Sequence, residues 1–264
     1  MSVNDALGQR MKAYEAISQH HLMRRTPVII RVDMKAGHTF TKHLHKPYDD
    51  IFQGAMRDTM KFMCENIQNC VFGYAQSDEI TLILTDYETL TTDAWFGYEV
   101  QKLCSISASM ATMKFNQEFN RLAHEEIFTY QTSIVPQSME IQLEMKKYHD
   151  VLRDCMNKGA MFDARCFNIP KEEVTNLVYW RQLDAMRNSI QSLGQAHYSA
   201  RQLHGASCEV IKEMLRQDDM DWNDLPIAQQ RGVACRKSAS GGWYIDYSMP
   251  ILKGDNRSYI EDLI

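Results

Sequence analysis

Two short acidic segments are the part of this sequence with the clearest capacity for chemistry. Asp33 closes one apolar run, and the pair Asp78–Glu79 interrupts another much later in the chain. Two carboxylates about 4 Å apart repel each other by roughly 4 kcal/mol at an effective dielectric near 20, so a pair of them needs a cation. Oxygen-rich sites select Mg²⁺ or Mn²⁺, and paired ions stabilise the attacking and leaving oxygens of phosphoryl transfer. The residue types therefore predict a divalent-metal site for phosphoryl transfer if the fold brings the segments together.

The periodicity of the apolar residues predicts which elements carry these carboxylates. Short β-branched runs predict strands, and apolar residues at helical spacing predict helices. The predicted elements, in order, are helix 4–20, strand Pro27–Asp33, helix Tyr48–Asn66, strands Val71–Ala75 and Ile80–Leu84, helix Trp95–Leu122, helix Gln137–Asn157 and strand Met161–Ile169. A β-α-β-β-α-β order of this kind is the ferredoxin-like α+β pattern. Its third strand lies antiparallel between the first two, so Asp33 and the 78–79 turn are expected at one end of the sheet.

Each aspartate also has a simpler interpretation, because aspartate favours turns through local hydrogen bonds. The nearby cations do not bridge the pair: Arg31 lies roughly 6–7 Å back along its strand, and Lys35 lies in the loop beyond. The metal interpretation therefore depends on the topology and not on either aspartate alone.

Other polar groups are candidates for nucleotide contact. Backbone N–H groups of the loop Met34–Thr39 could cradle phosphate, with Lys35 and His38 as additional donors. Lys102 shares a small polar helix face with Ser105 and Ser109, which would let that helix approach a triphosphate. The histidines His38, His43 and His45 lack further zinc ligands in the sequence and are interpreted as surface residues.

Composition narrows the class of protein. The net charge of −5 over 264 residues argues against a nonspecific nucleic-acid coat, although local pairs of basic residues remain. Seven cysteines without a Cys-x-x-Cys pair predict neither a disulfide framework nor a zinc site, and they suit a reducing compartment. Because no apolar run reaches the roughly 20 residues of a membrane span, a cytoplasmic location away from membranes is expected.

The second part of the chain is predicted to be helix-rich from Glu172 and to end in a hairpin, Gly232–Lys237 and Trp243–Tyr247. We therefore expect a catalytic region over 1–170 and a C-terminal region over 171–264, packed as one unit.

Several segments together resemble the tRNA-histidine guanylyltransferase family. Arg31-Val-Asp-Met-Lys-Ala-Gly-His-Thr-Phe40 is similar to its motif Arg-x-Asp-Gly-Arg-x-Phe-His-x-Phe, and Tyr74-Ala-Gln-Ser-Asp-Glu79 to its motif Gly-Gln-Ser-Asp-Glu. Further similar segments, in the family's order, are Gln101–Ser109, Phe162–Arg165, Trp180–Asp184 and Arg187–Ser189.

The resemblance implies a polymerase-like palm that adds guanylate, or another nucleotide, to the 5′ end of tRNA in the 3′→5′ direction. It implies two Mg²⁺ ions, ATP or GTP for activation, GTP as a substrate, and a homo-oligomer, a tetramer by analogy. The implied catalytic residues are Asp33, Asp78 and Glu79, and the implied metal ligands are Asp33, Asp78 and the carbonyl of Met34. The implied nucleotide contacts are Asp33, Met34, Lys35, Ala36, Gly37, His38, Ser77, Asp78 and Lys102. The implied RNA contacts are Arg181, Arg187, Asn188 and Ser189.

Three departures from the family pattern bear on activity. Met34 replaces a glycine, and Gly37 replaces a phenylalanine, so a left-handed backbone at position 34 would be strained. Met186 replaces a histidine, which puts strict selection of tRNA for histidine in doubt and leaves a broader 5′-end repair role open. The alternatives are a noncatalytic RNA-binding module and another palm enzyme, such as a nucleotide cyclase. The first is disfavoured because the strand Ile80–Leu84 has no aromatic residue for stacking bases.

Overall fold

An antiparallel sheet organises the chain. In the computed structural model, which describes residues 3–132 and 138–264, the sheet has six strands in the order β4-β1-β3-β2-β5-β6. The strands are β1 Val28–Met34, β2 Cys70–Gln76, β3 Glu79–Leu84, β4 Phe162–Asn168, β5 Val233–Lys237 and β6 Trp243–Asp246. The α+β class and the palm-like fold predicted from the sequence are confirmed.

Helices pack on both faces of this sheet, and some of them lie beyond one end of it. The longer ones are α1 Val3–Ala16, α3 Asp50–Asn66, α4 Val100–Thr132, α5 Met139–Lys158, α6 Lys171–His197 and α8 Cys208–Gln217. The short ones are α2 Gly37–Phe40, α7 Ala200–Leu203, α9 Ile227–Arg231 and α10 Ser258–Glu261.

Strand pairing brings the acidic segments together as the topology predicts. Strands β1 and β2 each pair antiparallel with β3, so they run parallel to one another. Asp33 stands directly opposite Glu79 in the β1–β3 register, and the Met34 N–H donates to the Asp78 carbonyl with an N···O distance of 3.1 Å. Residues far apart in sequence therefore converge at one end of the sheet.

Alternate residues of β1 point into two different cores. Ile30, Val32 and Met34 join the larger core, formed with α3, α4 and α5. Ile29 joins a smaller core on the opposite face, formed with Val174 of α6 and the C-terminal segment. Strand alternation then places Arg31 and Asp33 on the α6 face of the sheet.

The helix predicted over Trp95–Leu122 is wrong at both ends. Positive φ angles at Phe96, Gly97 and Tyr98 break the backbone before Val100, where α4 begins. The helix then runs to Thr132, because the buried residues Ala123 and Ile127 continue its apolar face. The first helix ends at Ala16 and not at residue 20. Gln137, the predicted start of the next helix, lies outside the described residues, and α5 begins at Met139 with a Ser138 cap.

The C-terminal hairpin completes the sheet that the first region begins. Residue 170 lies between β4 and α6, but β5 pairs with β2, so one sheet crosses the predicted boundary. The division into 1–170 and 171–264 stays a prediction. Among the described residues, no helix is both long and apolar enough to cross a membrane.

Candidate active site

The loop after β1 ties the two acidic segments to β4. The Lys35 N–H donates to the Met161 carbonyl at 2.8 Å, and Ala36 adopts a left-handed conformation with φ 56° before α2 begins. Within the described part of the chain, the N–H groups of Ala36, Gly37 and His38 have no hydrogen-bond acceptor. These donors stand beside the predicted carboxylate pair, where an anionic oxygen could accept from them.

Gly37 allows Asp78 to approach this loop closely. A Cβ atom at position 37 would lie 1.9 Å from Oδ2 of Asp78, which is far inside van der Waals contact. Ser77 adopts φ 51° in the turn that presents Asp78. Because Gly37 has no side chain, the Asp78 carboxylate can occupy this position.

Asp33 lies in a field of negative charge. Burial raises the pKa of Asp33, and the neighbouring carboxylates of Asp78, Glu79 and Asp163 raise it further. Among the described residues, no ion pair is made by Asp33 or by Asp78. These two carboxylates therefore retain the need for a cation that the sequence predicted.

Glu79 is in a different electrostatic situation. Its Oε2 accepts a hydrogen bond from Arg31, and its Oε1 accepts one from Nε of Arg181 at 2.8 Å. Both arginine side chains are largely buried. Glu79 therefore joins β1, β3 and α6 through a buried ion network, and its predicted catalytic role stays a prediction.

The carboxylate pair fits a divalent ion of the magnesium type. No group of three or more His, Cys, Asp or Glu side chains that could hold a metal occurs in the ranges 3–132 and 138–264. Magnesium is commonly held by one or two carboxylates together with substrate phosphates and water, and not by a closed protein cage. Asp33, Asp78 and the carbonyl of Met34 match that requirement.

The replacement of the family glycine by Met34 carries no backbone strain. Met34 is not among the residues with positive φ, and its side chain is buried in the larger core. The left-handed position falls two residues later, at Ala36. The concern raised by the sequence for position 34 was therefore misplaced.

A cavity of about 460 Å³ opens beside Asp78, between α2, the start of α3, α6 and α9. Of the predicted site residues, it is lined by Gly37, His38, Ser77, Asp78, Asn188 and Ser189. Three cations that sequence reasoning missed also line it: Lys42, Lys46 and Arg57. The cluster Lys42-His43-Leu44-His45-Lys46 was a visible signal, whereas Arg57 reaches the cavity only through the packing of α3.

Buried hydrogen bonds hold the wall of this cavity. The Ser189 hydroxyl accepts from Nε1 of Trp222 at 2.9 Å and bonds to the Tyr48 hydroxyl at 2.6 Å. The Asp49 carboxylate caps α3 by accepting from the Phe52 N–H at 2.9 Å. Because these groups are already paired, the wall is fixed before any ligand enters.

Three predicted site residues have polar groups that are engaged by other side chains, and their predicted roles stay predictions. Lys102 lies at the start of α4, where its Nζ is ion-paired with Glu99 at 3.0 Å. Arg181 is buried against Glu79, so little of its guanidinium is open to solvent. Ser189 lines the cavity, but its hydroxyl is engaged with neighbouring side chains.

The two other predicted RNA contacts are accessible. Arg187 is exposed on α6, and Asn188 faces the cavity. Of the histidines assigned to the surface, His38 and His45 line the cavity, while His43 is exposed and does not.

A palm-like sheet with an unpaired carboxylate pair at one end and a cationic cavity beside it defines an enzyme class that handles phosphate groups. A family model described as tRNAHis guanylyltransferase matches residues 8–170. The chain belongs to this family and is a nucleotidyltransferase of the tRNA guanylyltransferase type.

Solved structures and a viral protein are similar to most of the chain. A bacterial tRNA(His) guanylyltransferase (Thg1)-like protein in complex with ATP is 35% identical, with a TM-score of 0.80, over 98% of this chain and 99% of that one. Such a protein in complex with GTP is 33% identical, with a TM-score of 0.71 and the same coverage. An uncharacterized protein of Acanthamoeba polyphaga mimivirus is 28% identical over 89% of this chain and 78% of its own length.

The tRNA(His) guanylyltransferase of Saccharomyces cerevisiae shares the fold, with a TM-score of 0.62 at 18% identity over 84% of this chain and 90% of that one. Because the family is one of nucleotidyltransferases, the noncatalytic RNA-binding module and the cyclase are set aside.

Proposed function

We propose that the protein adds guanylate, or another nucleotide, to the 5′ end of tRNA in the 3′→5′ direction by metal-dependent phosphoryl transfer. The observation that carries this proposal is the pair Asp33 and Asp78, which meet at the sheet end and form no ion pair with any residue that the structure describes. The 5′-monophosphate of the tRNA would first attack the α-phosphate of ATP or GTP and release pyrophosphate. The 3′-OH of an incoming GTP would then attack the activated 5′-phosphate and release AMP or GMP.

The cavity beside Asp78 is the proposed nucleotide site. Its volume of about 460 Å³ lies in the range of small-ligand pockets. Lys42, Lys46 and Arg57 supply positive charge along its wall, and the free N–H groups of the loop 36–38 stand at its edge. The similar bacterial structures in complex with ATP and with GTP support a triphosphate as the occupant.

Two magnesium ions, when bound, would stabilise the charge on the attacking and leaving oxygens. The residues proposed to hold them are Asp33, Asp78 and the carbonyl of Met34. Asp78 lines the cavity, while Asp33 stands opposite the exposed Asp163 of β4. We propose that the two substrates meet at this pair, one from the cavity and one from the side of β4.

Partner, assembly and location are proposed from separate observations. Arg187 and Asn188 are the accessible members of the proposed RNA contact. The helix α1 exposes Leu7, Met11 and Tyr14 at helical spacing, as a surface for a second copy would. All seven cysteines are free, in keeping with the proposed cytoplasmic location.

Transfer of labelled GTP to 5′-monophosphorylated and 5′-triphosphorylated tRNA, with Mg²⁺, tests the proposal. We expect label at the tRNA 5′ end with wild type and at least a hundredfold less with Asp33→Ala or Asp78→Ala, since each removes a proposed ligand. Asp163→Ala is the matched control, because Asp163 stands opposite Asp33 on β4 but is exposed and outside the proposed ligand set.

The outcomes separate the possible readings. Full transfer by folded Asp33→Ala and Asp78→Ala proteins would reject the metal ligands. No transfer by wild type to either RNA would reject the proposed reaction.

A further inference from the structure

The sheet face that carries Asp33 is open on one side. On this face the β1–β4 register sets Asp33 opposite Asp163 and Arg31 opposite Arg165. The side chains of Asp163 and Arg165 are 62% and 57% exposed, whereas the buried residues that pack with α6 on this face lie on β1, β2, β3 and β5. An approach to Asp33 is therefore free from the direction of β4.

Trp180 borders this opening. It projects from α6 and is 53% exposed, although tryptophan contributes most to stability when it is largely buried. The guanidinium carbon of Arg31 lies 5.6 Å from its ring centroid, and that of Arg181 lies 4.8 Å from it. The indole is therefore held in place at the margin of the active site.

About half of this indole is open to solvent. The two guanidiniums that contact it, those of Arg31 and Arg181, also bind the carboxylate of Glu79, which anchors them to the sheet. The exposed 53% of Trp180 is available to a planar ligand.

The exposed side of α6 continues from Trp180 toward the cavity. Leu183 and Arg187 follow Trp180 at three- and seven-residue spacing, which places all three along one side of the helix. Both are exposed, and Asn188, next to Arg187, lines the cavity. An aromatic ring followed by a cation is the arrangement that binds single-stranded nucleic acid by stacking and phosphate contact.

We propose that the exposed part of the Trp180 indole stacks on a nucleobase of the RNA whose 5′ end reacts at Asp33 and Asp78. This inference rests on the proposed function and adds a residue that positions the RNA. The RNA is favoured over a nucleoside triphosphate because the cationic cavity beside Asp78 is the proposed triphosphate site, and Trp180 is not among the residues that line it. Stacking tolerates any base, so Trp180 would hold the RNA end without selecting its sequence.

Tryptophan fluorescence reads the contact without turnover. The protein has four tryptophans; Trp95 and Trp222 are buried, and Trp243 is partly buried under Lys237. We expect a 5′-monophosphorylated acceptor-stem hairpin RNA to quench wild-type fluorescence saturably. The quench should be lost in Trp180→Leu and kept in the matched control Trp243→Leu.

Kinetics separate stacking from a purely structural role of Trp180. For Trp180→Leu we expect the Kd and KM for RNA to rise about 5- to 100-fold, with the KM for GTP unchanged, and Trp180→Phe to restore most of the affinity. An equal quench in wild type and Trp180→Leu, or an unchanged KM for RNA, overturns the inference. A rise in the KM for GTP alone would overturn it, because Trp180 would then contact the base of the nucleoside triphosphate and not the RNA.

The failure of this inference differs from the failure of the proposed function. If wild type transfers no label but RNA still quenches Trp180, the reaction is rejected and the RNA contact stands. If wild type transfers label and Trp180→Leu matches it in every constant, only the contact is rejected.

Discussion

Gly37→Ala should damage catalysis much more than stability. The added Cβ would stand 1.9 Å from Oδ2 and 2.8 Å from Cγ of Asp78, so the carboxylate must swing away. Asp78 is only partly buried, and a displaced rotamer costs about 1 kcal/mol. For a chain of this size that corresponds to a fall in Tm of about 2 °C. A misplacement of about 1 Å in a reacting constellation costs roughly a hundredfold in rate.

Initial rates of labelled GTP transfer, together with the Mg²⁺ concentration for half-maximal rate, measure this effect. We expect a rate roughly a hundredfold lower and a higher Mg²⁺ requirement. Gly242→Ala is the matched control, since its nearest neighbour, Oγ of Ser238, would lie 3.8 Å from the new Cβ. The resemblance places a phenylalanine at position 37 in the family, so a side chain there can be compatible with activity. Full activity of Gly37→Ala is therefore the refuting result. It would show that Asp78 works equally well from a second position.

Three further outcomes follow from the same geometry. Glu79→Gln should lower the free energy of unfolding by about 3 kcal/mol, because two buried guanidiniums lose their carboxylate. Urea denaturation measures this change, and a loss below about 1 kcal/mol would contradict the prediction. The pKa of Asp33 is raised on folding, so stability falls as pH rises above the ordinary value of 3.8. In EDTA, Asp33→Asn should therefore melt above wild type at pH 7, with no difference below pH 3.8; equal melting at pH 7 would refute this. The fragment 1–170 should not fold cooperatively, because β2 loses its partner β5; a folded, monomeric fragment by circular dichroism and gel filtration would establish a domain boundary at 170.

Local patterns in the sequence were sufficient for the strands, for the place of β3 between β1 and β2, and for the meeting of Asp33 with Asp78. Strand periodicity depends on neighbouring residues, and the split β-α-β topology leaves one place for the third strand. The same reasoning misjudged α4, because the break at Phe96–Tyr98 lies in backbone angles that the apolar spacing does not report.

Side-chain partners, by contrast, come from packing between elements distant in the chain. The sequence does not reveal that Glu79 is neutralised by Arg31 and Arg181, because Arg181 reaches it from a helix 102 residues away. The cationic cavity and the exposed part of Trp180 likewise exist only where α6 crosses the end of the sheet. The residue types could predict a need for positive charge near the aspartates, but the assignment of each cation to a carboxylate, a cavity or an open surface depends on distances that arise only when the chain is folded.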